Sequence, residues 1–303
     1  MEKKIIIAGG TGFVGRHLTK KFTSLGYEVI IISRHKDHIN WDNIPAIEAA
    51  LENAEMLINL AGKSVDCRYN EKNKREIYNS RIDTTRILGN VILACKNPPA
   101  LWINSSTATI YRHAEDRPMT ESTGEIGAGF SVNVATNWEK TFFDFKLAGT
   151  RQVALRMAIV LGKGGGVIQP LKDLVRFGLG GKQGRGDQMF SWIHIDDVFN
   201  IINFIQQHNE LSGVINTAAP NPVTNKSLMQ LLRNNMGIKI GLPLPKWLLK
   251  MGAVLIKTET ELILKSRWVV PACLLEAGFQ FKYAVLDSAL KNILNDQEQK
   301  AIQ

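Results

Sequence analysis

A short apolar run, Ile5-Ile6-Ile7-Ala8, ends at Gly9-Gly10-Thr11-Gly12-Phe13-Val14-Gly15, and this junction constrains the fold more than any other stretch. Downstream, Val14, Leu18, Phe22 and Leu25 recur at helical spacing and define one apolar helix face. In a strand–turn–helix junction of this kind the first glycine allows the tight turn. The second lets the backbone approach a bound group, and the third lets helix and strand pack closely. The helix start then offers free N–H groups and a partial positive charge, a setting suited to a pyrophosphate. An ordinary strand-to-helix turn is the alternative. A Walker-type loop would need Lys and then Ser or Thr after the closing glycine, whereas Arg16 and His17 follow Gly15. The sequence therefore predicts a dinucleotide site in which Gly9, Thr11, Gly12, Phe13, Val14 and Gly15 hold the pyrophosphate.

The alternation continues. Val29–Ile32, Met56–Leu60, Leu101–Asn104 and Val153–Val160 read as further strands, with helices around 77–95 and 137–147. This is the pattern of an α/β, doubly wound parallel sheet with crossover helices, the Rossmann arrangement. With 303 residues the chain suits a large core and a smaller second one. The expected division is a nucleotide-binding domain over 1–220 and a smaller C-terminal substrate domain over 221–303. A glycine-rich insertion near 162–190 is expected to face the substrate cleft, as connector or mobile cover. Asp197–Gln206 reads as a helix and Gly213–Thr217 as another strand, and part of the region after Gly162 is expected to return to the sheet.

Composition narrows the class. Hydrophobic content of 45% and charged content of 21% are ordinary for a soluble globular protein. Met1-Glu2-Lys3-Lys4 precedes an apolar run too short for a signal sequence, and no segment approaches the roughly 18 apolar residues of a membrane span. Cys67, Cys95 and Cys273 are far apart and odd in number, which suits reduced thiols and a cytoplasmic location. The net charge of +9 is dispersed, without basic clusters interleaved with aromatics, so no nucleic-acid partner is expected. His35 and His38 lack a third ligand nearby, and no metal is expected. Trp247–Lys257 is apolar with spaced lysines and fits either helix packing or a membrane or partner surface.

The residues behind the second strand choose the nucleotide. A carboxylate about 20 positions after the glycines would bind the adenosine ribose and repel a 2′-phosphate. This chain instead has Ser33-Arg34, a hydroxyl and a guanidinium suited to a phosphate, which predicts NADP(H). A solvated basic turn is the alternative reading.

These motifs converge. Gly9–Gly15, Asn59-Leu60-Ala61-Gly62 and Ser105-Ser106-Thr107-Ala108-Thr109-Ile110-Tyr111 resemble the extended short-chain dehydrogenase/reductases, within the NAD-dependent epimerase/dehydratase superfamily. Ser80-Arg81, Trp138-Glu139, the region 178–186 and Ser191–Asp197 look like its atypical epimerase-like branch, and 271–290 like that branch's C-terminal domain of unknown function.

The resemblance implies an NADP cofactor, a small-molecule substrate and hydride chemistry at a carbonyl or hydroxyl carbon, on a nucleotide-sugar-like or other compound. It also implies Leu60, Ala61 and Gly62 near the adenosine ribose or pyrophosphate, Ser105 and Ser106 near the nicotinamide, and Thr107 as the hydroxyl that aligns the substrate oxygen. A homodimer is compatible with it. The family's Tyr-x-x-x-Lys pair is missing, because counting back from Glu139 meets Ser131 and Ala135. Two readings stay open. One is an oxidoreductase or epimerase with a rearranged acid/base, for which Tyr111 and His194 are candidates against packing and helix-capping roles. The other is a catalytically silent NADP(H)-binding protein acting as a redox sensor or assembly factor.

Overall fold

The computed structural model describes residues 3–246 and 265–295; the apolar stretch Trp247–Lys257 lies outside them. Six parallel strands form the main sheet: β1 (Lys4–Ala8), β2 (Glu28–Ile32), β3 (Met56–Asn59), β4 (Leu101–Thr107), β5 (Arg151–Met157) and β9 (Gly213–Thr217). Their order is β2-β1-β3-β4-β5-β9. A lone parallel bridge between Ile32 and Ile39 extends the edge beyond β2. The order reverses at β1, which lies between β2 and β3, and this switch point opens a crevice at the carboxyl ends of those strands.

Alternation within each strand feeds two cores. Ile5 and Ile7 point to one face, where Leu18 and Phe22 of α1 (Phe13–Ser24) meet Val198, Ile201, Ile202 and Ile205 of α6 (Ile195–Gln207). Ile6 and Ala8 point to the other. There α2 (Ile44–Leu51), α3 (Glu71–Ala94) and α4 (Phe130–Asp144) contribute Ile47, Leu51, Leu88, Ile92 and Phe142. Helices on both faces of a parallel sheet make this the doubly wound Rossmann arrangement.

The apolar run 153–160 is two strands. It breaks at Ala158, whose N–H is held by the Thr217 carbonyl, and continues as β6 (Ile159–Leu161). β6 leaves the main sheet to pair with β8 (Trp192–His194). A second small ladder joins β7 (Met189–Phe190) to β10 (Val223–Thr224). Around them a third core gathers Leu161, Ile168, Val175 and Trp192 with residues of α7 (Asn225–Asn235) and α9 (Leu286–Leu294). α5 (Ile168–Arg176) contributes Ile168 and Val175. The short α8 (Ala272–Glu276) instead sends Leu274 into the core of the main sheet. This third core thus draws on residues on both sides of the 220/221 division expected from the sequence. No described helix is long and apolar enough to cross a membrane.

Candidate functional site

The glycines have separable tasks. Gly9 has φ of +81°, and a Cβ there would stand 2.8 Å from the Ala61 nitrogen, so it is fixed by the turn and by the neighbouring loop. A Cβ on Gly15 would stand 2.6 Å from the Gly10 Cα, so it is fixed by packing of α1 on the backbone of the turn after β1. Gly12 differs: the nearest atom to its Cβ would be the Gly9 carbonyl oxygen at an ordinary 3.5 Å. Nothing in the chain itself requires glycine there. Gly12 is also the N-cap of α1, without a side-chain cap or an acidic residue in the first turn. The Gly12 carbonyl accepts from Arg16, which leaves the N–H groups of Phe13, Val14 and Gly15 without helical carbonyls behind them. Thr11 is exposed beside them, its carbonyl accepting from Arg16 at 2.6 Å.

The ring of Phe13 is held by the glycine-rich loop that follows β6. A Cβ on Gly165 would stand 2.3 Å from this ring, and one on Gly162 3.1 Å from it. That part of the loop is therefore seated against the start of α1. At the end of β2, Ser33 is buried, its Oγ 2.9 Å from His38 Nδ1 and accepting from the His35 N–H. Arg34 beside it is exposed.

A cavity of about 180 Å³ lies at the carboxyl ends of β3 and β4. Leu60, Ala61 and Gly62 line one side, Ser105, Ser106 and Thr107 another, and Ser131, Ala135 and Trp138 of α4 close it. The structure thus brings six of the expected site residues together at one cavity. Below it a buried amide layer sets the strand ends: Asn59 Nδ2 donates to Asn104 Oδ1 at 2.7 Å, and the Ala61 N–H donates to Asn59 Oδ1 at 3.1 Å. Thr85 Oγ1 receives both Asn59 Nδ2 and Trp138 Nε1, at 3.2 and 2.9 Å. Thr107 is half-buried; its Oγ1 accepts from the Thr109 N–H at 3.1 Å, which leaves its hydroxyl proton to be donated.

Beside this cavity runs an ionic chain that sequence reasoning missed. Ser106 Oγ donates to Glu139 Oε1 at 2.5 Å, and Arg156 Nε and Nη2 bind the same carboxylate at 2.8 and 2.7 Å. Arg156 Nη1 donates to the Tyr111 hydroxyl at 2.9 Å, and that hydroxyl donates to Asn216 Oδ1 at 2.8 Å. Tyr111 is thereby fully engaged, outside the cavity lining, and burial pushes its phenol up, away from the range a neutral-pH proton carrier needs. Its hydroxyl instead ties the segment after β4 to Arg156 of β5 and Asn216 of β9. His194 also lies outside the cavity lining. Its Nδ1 accepts from the Asp196 N–H at 3.1 Å as N-cap of α6, and burial pushes it down to about 4, leaving it neutral. It caps a helix and packs on Tyr283 at 3.9 Å between ring centroids.

The proton-transfer gap is visible in space. Ser131 and Ala135 both line the cavity, and neither side chain is a tyrosine or a lysine. A nucleotide-sugar substrate would need cations for a second pyrophosphate, for which Arg185, Arg81 and Lys182 are the sequence's candidates; Arg185 is tied to Asp187 at 2.7 Å and Glu115 at 3.1 Å on the surface.

Comparison with known proteins agrees with this architecture. A model of the NAD dependent epimerase/dehydratase family matches residues 5–132, and one of a domain of unknown function, DUF1731, matches 244–293. The human epimerase family protein SDR39U1 is 33% identical over 96% of this chain and 99% of its own. Epimerase family protein YfhF of Bacillus subtilis is 32% identical over 97% of this chain and 99% of its own. A crystal structure of human SDR39U1 (isoform 2) with NADPH superposes with a TM-score of 0.88 at 32% identity, covering 97% and 99% of the two chains.

Proposed function

The chain belongs to the epimerase family, and from that premise we propose that it is an NADP(H)-dependent oxidoreductase or epimerase of the extended short-chain dehydrogenase/reductase type, acting on a small molecule. The observation that carries the reading is Gly12. Its missing side chain serves neither the turn nor the packing, yet it stands at a helix start without a side-chain cap, where the first N–H groups have no helical carbonyl behind them. That is the form a pyrophosphate cradle takes. The binding of NADPH by the human relative points the same way.

In this reading Gly9, Thr11, Gly12, Phe13, Val14 and Gly15 hold the pyrophosphate, Ser33 and Arg34 receive the 2′-phosphate, and Leu60, Ala61 and Gly62 line the path of the ribose. When bound, the nicotinamide supplies hydride transfer. The chain's own contribution is at the cavity. Ser105 and Ser106 border it, Ser106 fixed by Glu139. Thr107 donates a hydrogen bond to the substrate oxygen and so aligns it. Ala135, Val134 and Trp138 exclude water from one wall.

Ser131 and Ala135 favour a second reading, nucleotide binding without turnover, because neither can replace the missing Tyr-Lys pair. Fluorescence titration with NADPH and, separately, NADH tests the shared premise: tight NADPH and weak NADH binding is the expected result, and binding of neither overturns both readings. Absorbance of the bound NADPH during a screen of carbonyl compounds then separates them. Oxidation by any class supports the enzyme; none, across aldehydes, ketones and keto acids, supports the silent binder.

A further inference from the structure

Arg81 of α3 is the one charged side chain among the described residues lining the cavity at the ends of β3 and β4. Its Nη1 donates to two backbone carbonyls, Ile77 at 2.9 Å and Lys63 at 3.2 Å, and its Cζ stands 5.2 Å from the centroid of the Trp138 ring. A Cβ on Gly62 would come within 3.1 Å of that Cζ, so the missing side chain of Gly62 makes room for the guanidinium. The nearby carboxylates are committed elsewhere. Glu76 pairs with the Lys63 ammonium, and Glu139 has both oxygens on Arg156. Burial pushes Arg81 down to about 10, still protonated at neutral pH.

A part-buried guanidinium with only neutral partners is expensive to hold, and a carboxylate or phosphoryl oxygen meets its planar fork well. We propose that Arg81 is the anion receptor of this cavity, taking a carboxylate or phosphoryl group of the ligand that enters it. This deepens the function proposed above and rests on it for the identity of the cavity. An anionic substrate and the cofactor's own pyrophosphate share that chemistry. The remaining lining groups are hydroxyls and apolar walls, which suit the uncharged part of such a ligand.

Two titrations test this on the full-length protein, wild type, Arg81→Gln and Arg81→Lys. The first measures NADPH affinity by fluorescence. The second, without nucleotide, compares benzoate with its neutral isostere benzamide by calorimetry. Wild type is expected to favour benzoate over benzamide, or to bind NADPH more tightly than R81Q, by roughly tenfold to a hundredfold, the worth of a charge-assisted hydrogen bond. R81K should recover part of whichever is lost. Loss of the benzoate preference with NADPH binding intact assigns the receptor to an anionic substrate; weaker NADPH binding with that preference intact assigns it to the cofactor. If R81Q does not unfold cooperatively, Arg81→Met supplies the same readings. Variants that match wild type in both titrations overturn the proposal. A wild type that binds no NADPH fails the cofactor reading alone, because the benzoate arm still reports on Arg81.

Discussion

Arg81 lines the cavity and Arg156 is tied to it only through Glu139 and Ser106, and the surroundings of the two guanidinium groups could hardly differ more. Arg156 spends its guanidinium inside the chain, on both oxygens of Glu139 and on Tyr111. Arg81 spends one nitrogen on two carbonyls and lays its face over Trp138. A buried charge with a committed counter-charge holds the fold. A charge with neutral partners is maintained for something that arrives later. The contrast separates the polar groups that build this site from those that use it.

The sharpest way to break that contrast is to unpair Arg156. Glu139→Ala would strand a buried guanidinium and should destabilise the protein by about 3–5 kcal/mol, read from the midpoint of urea unfolding. Next comes the capped junction of β8 and α6. Free histidine titrates near 6.5, whereas burial holds His194 at about 4. The unfolded chain therefore binds more protons than the native one between those values, and stability rises with pH across that window. Acidification from pH 6.5 to 4 should remove up to about 3 kcal/mol. In His194→Asn, which keeps a capping acceptor, the slope should flatten; an unchanged slope would assign the loss to other groups.

On the ligand-facing side the effects should appear in binding and spare stability. Arg34→Asp replaces an exposed cation with a group that repels a 2′-phosphate, so NADPH affinity should fall roughly tenfold to a hundredfold while NADH binding holds or improves. Gly12→Ala meets no close atom in the chain, so thermal unfolding should move little. NADPH affinity should nevertheless drop about tenfold, since the methyl occupies the approach to the phosphates. The smallest effect is expected for Arg81→Met, within about 1 kcal/mol of wild type, because a charge without a counter-charge is replaced by an apolar chain of similar length. A loss as large as that of Glu139→Ala would erase the distinction between the two arginines.

How much of this was legible depended on whether the deciding contact was local. The junction at Ile5–Gly15 could be read because strand, turn and helix each leave a signature in adjacent residues. The same holds for Gly213–Thr217, read as a strand and found as one; its place at the edge of the main sheet is set by the fold. The break at Ala158 could not be read, because an apolar run looks the same whether it stays in one ladder or crosses to another. Helix α4 begins at Phe130, well before the stretch its periodicity suggests. Its first turns are rich in β-branched and polar residues, and they are held by burial of Val132, Val134 and Ala135. Among the expected site residues, Leu60–Gly62 and Ser105–Thr107 meet at one cavity because their motifs sit at the ends of β3 and β4. For Tyr111 and His194 the sequence gives no sign that their polar atoms are already engaged within the chain. The Glu139–Arg156 pair is set by the meeting of α4 and β5, and no spacing rule announces it.

The clasp of Phe13 by Gly162 and Gly165 joins two segments far apart in the chain. In the language of thermodynamic cycles, residues 13 and 165 form one coupled unit: a methyl at 165 is felt first by the ring, then by the N–H groups that start α1. The loop that leads into the second lobe is thereby also the rear wall of the glycine cradle. Its tolerance to mutation is set by a site to which it contributes no chemistry.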